Sequence, residues 1–179
     1  MSTPAVFFDR DGVVNVSPGE GYVLSWDGFH FAEGIMEATK LCRERGYRLV
    51  LVTSQQGVGK GEMSQAALDD IHTRMQEALA AGGARFDHIE ACTHLSGSCT
   101  CRKPSPEMIH HAEQLLDLDL SRSILIGDHD RDIQMAINSG IPTTIRVLSH
   151  YAPGVIASHV VDSTKRLPAM LERTLDQRR

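Results

Sequence analysis

The sequence contains no apolar run near the roughly 20 residues that a membrane-spanning helix needs, so no membrane partner is expected. Residues 1–9 lack the basic region of a secretory leader and meet acidic charge too soon to be one. Positive charge is not in excess: 18 lysines and arginines stand against 23 aspartates and glutamates, for a net charge of −5. A nucleic-acid partner, which requires a basic face, is therefore not expected. Cysteine is scarce as well. Of the four, Cys92, Cys99 and Cys101 crowd around His94 while Cys42 stands alone, which is not the spread of a disulfide framework. A reducing, cytoplasmic compartment fits that usage. Repeats, low-complexity tracts and linker-like stretches are missing too.

What is present is the composition of a globular chain: 179 residues, 41% hydrophobic and 23% charged. That length suits one domain, 1–179, which buries roughly two-thirds of its unfolded surface and needs no staple to fold. Its hydrophobic pattern alternates strand and helix. Residues 5–8 read as a buried strand, 33–46 as a helix with Ile35, Ala38, Leu41 and Cys42 on one face, and 48–53 as a second strand. Ser64 caps a long helix that runs to Ala81, where Gly82-Gly83 ends it. A strand at 88–92, a helix at 105–116, a strand at 123–127, a helix at 130–139, a strand at 143–148 and a helix at 167–175 follow. The expected fold is α/β: one Rossmann-like, three-layer αβα domain with a parallel central sheet. No length is left for a large cap domain, so the loops at 15–28 and 55–63, with the Cys-rich loop, are expected to form the pocket rim.

Ligands of such sheets sit at the carboxyl ends of the strands. Those ends carry Asp9 and Asp11, then Thr53 and Ser54, then Asp128 and Asp132. Any one aspartate there could be a helix cap or a turn former. Four on one rim repel one another, and a divalent cation resolves that repulsion; hard oxygen donors favour Mg²⁺ over zinc. The Cys-rich loop offers a second metal site: Cys92, His94, Cys99 and Cys101 are a complete tetrahedral set for a structural Zn²⁺ with no open position.

Asp9-Arg10-Asp11-Gly12-Val13 after a buried strand resembles the first motif of the haloacid-dehalogenase-like (HAD-like) phosphohydrolases. Thr53, Arg102-Lys103-Pro104, and Gly127-Asp128 with Asp132 resemble the second, third and fourth motifs, in order. The resemblance implies Asp9 as nucleophile, Asp11 as general acid and base with a raised pKa, Thr53 on a phosphoryl oxygen and Lys103 neutralising the transferring group. It also implies Mg²⁺ on Asp9, the backbone carbonyl of Asp11 and Asp128, with Asp132 behind them. The Cys-rich loop narrows the likeness to the group that holds heptose 1,7-bisphosphate and histidinol-phosphate phosphatases. Gly21-Tyr22-Val23, Phe29-x-Phe31-x-x-Gly34 and Gln55-x-Gly57-x-x-Lys60-Gly61 look more like the heptose branch. The implied substrate is a small phosphorylated sugar, D-glycero-D-manno-heptose 1,7-bisphosphate losing its C7 phosphate, with histidinol phosphate or another phosphosugar as the alternative. Arg10, Ser54, Lys60 and Arg102 are the candidate substrate contacts, on a monomeric enzyme. Ser54, Gln56, Lys60 and His129 depart from that group's usual residues, and Lys60 as a point charge would grip an anion differently from arginine. The remaining histidines, His30, His72, His88, His110, His111, His150 and His159, show no usable spacing and are expected at scattered surface or half-buried positions.

Two rivals remain at this point. A receiver-type phosphoacceptor would hold a lasting phosphoryl group without turnover, and a zinc-based interaction module would keep its function after loss of Asp9 and Asp11.

Overall fold

Six short runs rich in Val, Ile, Leu and Phe form a single parallel sheet: β1 (Ala5–Phe8), β2 (Arg48–Ser54), β3 (His88–Cys92), β4 (Ile124–Gly127), β5 (Thr143–Val147) and β6 (His159–Val161). They come from a computed structural model that describes residues 2–176. The order across the sheet is β3-β2-β1-β4-β5-β6. Phe8 pairs with Leu51 on one side and Ile126 on the other, which places β1 at the centre.

Because successive side chains on a strand point to opposite faces, β1 divides its residues between two cores. Val6 and Phe8 pack with α1 (Ile35–Glu44), α3 (Gln65–Ala81) and α6 (Leu167–Asp176). Ala5 and Phe7 pack with α4 (Glu107–Leu116) and α5 (Asp130–Ser139). All four residues of β1 are fully buried, as a strand covered on both faces must be. The three-layer α/β fold is the one the alternation predicts. Ser64 caps α3 by accepting the amide of Ala67 at 3.1 Å. No helix among the described residues is long and apolar enough to cross a membrane.

Helix α1 is shorter than the expected 33–46, several other ends shift by one residue, and three further details differ from the sequence reading. Helix α4 begins at Glu107, not 105, because the prolines at 104 and 106 disfavour helical backbone in the residues before them. A single helical turn, α2 (Gln56–Gly59), follows β2; its two glycines hide it. Strand β6 is only three residues long and borrows its definition from pairing with β5.

The chain crosses from β1 to β2 and β3 on one side and reaches β4 to β6 on the other. The gap between the carboxyl ends of β1 and β4 is thus the topological switch point, where open α/β sheets bind ligands.

Candidate active site

Asp9 leaves β1 and Asp128 leaves β4 at that switch point, and Asp132 reaches it from the first turn of α5. One oxygen from each of the three carboxylates lies within 4.8 Å of the others. Two glycines make this possible. Gly12, at φ +87°, lies so close to Asp128 that a Cβ there would come within 2.4 Å of Oδ2. At Gly127 a Cβ would lie 2.3 Å from the Cβ of Asp132, so any side chain would expel that carboxylate.

Lys103 enters from the loop ahead of α4 and is buried between two of the acids. Its Nζ donates to Asp9 Oδ1 and to Asp132 Oδ1, each at 2.7 Å. Asp132 Oδ2 accepts the amide of His129 at 3.1 Å, so both of its oxygens are occupied. Asp9 Oδ1 also accepts the amide of Arg10 at 2.8 Å, leaving Oδ2 without a donor among the described residues. Burial and then the charge of Asp132 push Asp9 up to about 7, with Lys103 opposing. The same two causes raise Asp128 to about 6. Burial alone would lower Lys103, but Asp132 and Asp9 outweigh it and hold the ammonium form. Three buried carboxylates facing one lysine leave an excess of negative charge, a donor set that fits a hard divalent cation.

Asp11 is held apart from this cluster. Arg10 Nη2 donates to its Oδ1 at 3.0 Å, Asn15 Nδ2 to the same oxygen at 3.0 Å, and Gln55 Nε2 to Oδ2 at 2.9 Å. The acidic neighbours that the sequence sets beside Asp11 are therefore not what its carboxylate faces. Gln55 also donates to Thr53 Oγ1 at 2.8 Å, so one buried amide links the ends of β1 and β2. Thr53 is buried. Ser54 lines the cleft, with its hydroxyl buried and unpartnered among the described residues.

Arg10 is a correction to the sequence reading. Its side chain is 0% exposed and holds Asp11 and His72, so it cannot reach a substrate at the rim. Lys60 lies outside the cleft, with Nζ 5.3 Å from the Tyr22 ring centre and 3.9 Å from Glu62. Arg102 is half-buried, with Nη1 enclosed and unpartnered among the described residues. The cleft beside Asp11 and Asp128 is lined by Ser17, Tyr22 and Ser54 from the loops after β1 and β2, and by Arg131 and Tyr151. The Cys-rich loop does not line it; that loop packs behind α2, where a Cβ on Gly59 would strike the Thr93 carbonyl at 2.5 Å.

Arg131 and Tyr151 were not foreseen. His129 is the N-cap of α5: its Nδ1 accepts the amide of Arg131, and its ring rests 4.5 Å from that of Tyr151. Burial and the neighbouring Arg131 lower its pKa; of the two side chains, Arg131 lines the cleft. Sequence spacing carried a signal for Arg131, two positions from a basic-residue site filled here by histidine. It carried none for Tyr151, whose loop is tied down by the amides of Gly154 and Val155 on Asp130.

At the end of β3, Cys92, His94, Cys99 and Cys101 converge. Cys101 Sγ lies 3.4 Å from Cys92 and Cys99 and 3.5 Å from His94 Nδ1; Cys92 lies 3.6 Å from Cys99 and 3.9 Å from His94. Zinc–sulfur bonds of about 2.3 Å and zinc–nitrogen bonds of about 2.0 Å put tetrahedral corners roughly 3.5–3.8 Å apart. The four donors therefore fit one metal ion, and all four cysteines of the chain are free thiols. Burial and the neighbouring sulfurs push Cys101 up to about 12, whereas at Cys99 burial is outweighed by hydrogen bonds from Cys101 and Cys92, which lower it.

A parallel sheet with Asp-x-Asp after β1, threonine at the end of β2, a buried lysine and a glycine-aspartate at the end of β4 defines a HAD-like phosphatase. Residues 100–155 match the HAD-hydrolase-like family. The D-glycero-beta-D-manno-heptose-1,7-bisphosphate 7-phosphatase of Vibrio cholerae serotype O1 is 36% identical, over 97% of this chain and 98% of that protein. The protein of the same name from Escherichia coli strain K12 is 35% identical over 82% of this chain and 80% of its own length. Among solved structures, D,D-heptose 1,7-bisphosphate phosphatase from B. bronchiseptica, complexed with magnesium and phosphate, superposes with a TM-score of 0.83. It is 28% identical and covers 96% of this chain and 99% of its own. The chain belongs to this heptose-bisphosphate phosphatase family of the HAD-like hydrolases.

Proposed function

We propose that the chain, as one catalytic domain over 1–179, hydrolyses the C7 phosphate of D-glycero-D-manno-heptose 1,7-bisphosphate. The observation that supports this reading is the Asp9 carboxylate at the switch point, with Lys103 and the Arg10 amide on its Oδ1 and no donor to Oδ2 among the described residues. In this reading Asp9 Oδ2 attacks phosphorus as the bond to the C7 oxygen breaks, giving an aspartyl-phosphate. Asp11 protonates the leaving alkoxide and then takes a proton from the water that releases inorganic phosphate. Arg10, Asn15 and Gln55 orient that carboxyl group. Thr53 donates its hydroxyl to a phosphoryl oxygen, and Lys103 neutralises charge there. Mg²⁺, held by Asp9, the Asp11 carbonyl and Asp128, would supply charge neutralisation at the phosphoryl group.

Arg131, with Tyr22 and Ser54, is in place for the polar groups and second phosphate of the sugar. Zn²⁺ on the four Cys-rich-loop donors would be structural and would fix the direction of Lys103, two residues beyond Cys101. The enzyme in this proposal is a monomer, with a cytoplasmic location that the four cysteines without disulfides suit.

The test is kcat/KM, with Mg²⁺, for both anomers of the heptose bisphosphate and for histidinol phosphate. The expected result is a ~100-fold or greater preference for one bisphosphate anomer, about 2.7 kcal/mol of discrimination. The curated relatives carry the beta anomer in their names. A preference for histidinol phosphate, or slow turnover of all three, overturns the substrate assignment.

A further inference from the structure

Strand β3 alternates His88, Glu90 and Cys92 on the face that meets α4. Cys92 belongs to the thiol cluster. His88 and Glu90 form a separate group with His111, on the second turn of α4, the helix that follows the Cys-rich loop. His88 Nε2 lies 2.6 Å from Glu90 Oε1, and His111 Nδ1 lies 2.5 Å from the same oxygen. One donor atom from each of the three side chains lies within 4.8 Å of the others. We propose that His88, Glu90 and His111 form a second transition-metal site, taking Zn²⁺ or a similar divalent ion, with its open positions filled by water.

The donor set is the first reason. Two imidazoles and one carboxylate match a borderline-soft ion, and neither Mg²⁺ nor Ca²⁺ prefers such nitrogen donors. Geometry is the second. Bonds of about 2.0–2.2 Å place tetrahedral corners roughly 3.3–3.6 Å apart, so each imidazole must draw back from Glu90 by about 1 Å. The freedom for that exists: the His111 side chain is 65% exposed and can shift on its helix, whereas Glu90, at 15%, is the fixed centre. Location is the third. β3 leads into the Cys-rich loop and α4 leaves it, so an ion here ties together both flanks of the segment that carries Lys103. The four-donor cluster closes that segment at its tip; His88, Glu90 and His111 would close it at its base. This inference does not depend on which phosphate ester the enzyme hydrolyses.

The full-length protein, stripped of metal and kept in saturating Mg²⁺, is titrated with Zn²⁺ alongside His111→Ala and Glu90→Gln. Wild type is expected to bind about one equivalent more than either variant. Its melting temperature should continue to rise over that last equivalent, while theirs does not. Co²⁺ in place of Zn²⁺ separates the two sites: thiolate charge-transfer absorption must reach the same amplitude in all three proteins. The His111→Ala exchange is at an exposed helical position, and alanine favours a helix, so the variant folds. Equal Zn²⁺ stoichiometry and equal thermal response in wild type and both variants overturns the proposal. The difference between proteins is the readout, whatever the total.

Discussion

At Asp9 stability and activity pull in opposite directions. Its carboxyl group is held up to about 7 against an ordinary 3.8, first by burial and then by Asp132. A group that binds protons more tightly folded than unfolded contributes stability below its unfolded value and loses it as pH rises through the folded one. At pH 8, then, ionised Asp9 destabilises the metal-free protein. Asp9→Asn is expected to abolish turnover while melting higher than wild type in chelator at pH 8, with Mg²⁺ narrowing the gap. Substantial phosphatase activity in that variant would rule out Asp9 as nucleophile. His72 carries the opposite sign. Burial and then Arg10 hold it at about 4, below the ordinary 6.5, so it is neutral in the folded protein. Stability from this group is present above 6.5 and declines as pH falls toward 4, by up to about 3 kcal/mol. Denaturant unfolding of wild type and His72→Gln between pH 7 and 4 should show a shallower decline in the variant. The strand ends pointed to Asp9, Asp11 and Asp128, and Lys103 came from the resemblance to the HAD-like motifs, since it stands on a loop ahead of α4 and not at a strand end. It did not reveal Arg10 as an interior group, since an Asp-Arg-Asp triplet says nothing of which side chain turns inward.

Among the elements, the segment from Cys92 to Lys103 shows how distance from the reacting atoms need not mean indifference to them. Cys101→Ser removes one corner of a cluster whose neighbours stand 3.4–3.5 Å away, two residues before the lysine that bridges Asp9 and Asp132. Displacing a catalytic group by about 1 Å can cost ~10²-fold in rate. The expected outcome is loss of bound zinc, measured by atomic absorption, together with a fall in kcat that exceeds the change in KM. Retention of full kcat after zinc loss would separate the cluster from the catalytic geometry. Strand β3 and helix α5 were readable to the residue, since Gly140 and the apolar spacing of α5 mark its bounds. Strand β6 was not: three residues carry too little pattern, and only pairing with β5 makes them a strand. The loop bearing Tyr151 escaped for a related reason, because long-range bonds to Asp130 set its course and local sequence does not encode them.

Taken whole, the molecule is a sheet built from the middle outward. The alternation of apolar strands and amphipathic helices was enough to specify a parallel sheet covered on both faces, and the Asp-x-Asp after its first strand marked the edge where Asp9, Asp128 and Asp132 gather. The side-to-side order was not legible, because nothing local tells β1 that its second neighbour is β4. That order has a consequence in time. Phe8 pairs with Leu51 and with Ile126, so at ~5–20 residues per second the second partner leaves the ribosome roughly 4–15 s after the first. Through that interval a wholly apolar strand presents one unpaired edge, the form of a nascent chain that most readily joins the wrong neighbour. Asp9 is made before the other members of its carboxylate cluster, yet that cluster exists only once Asp128 and Asp132 have followed it out.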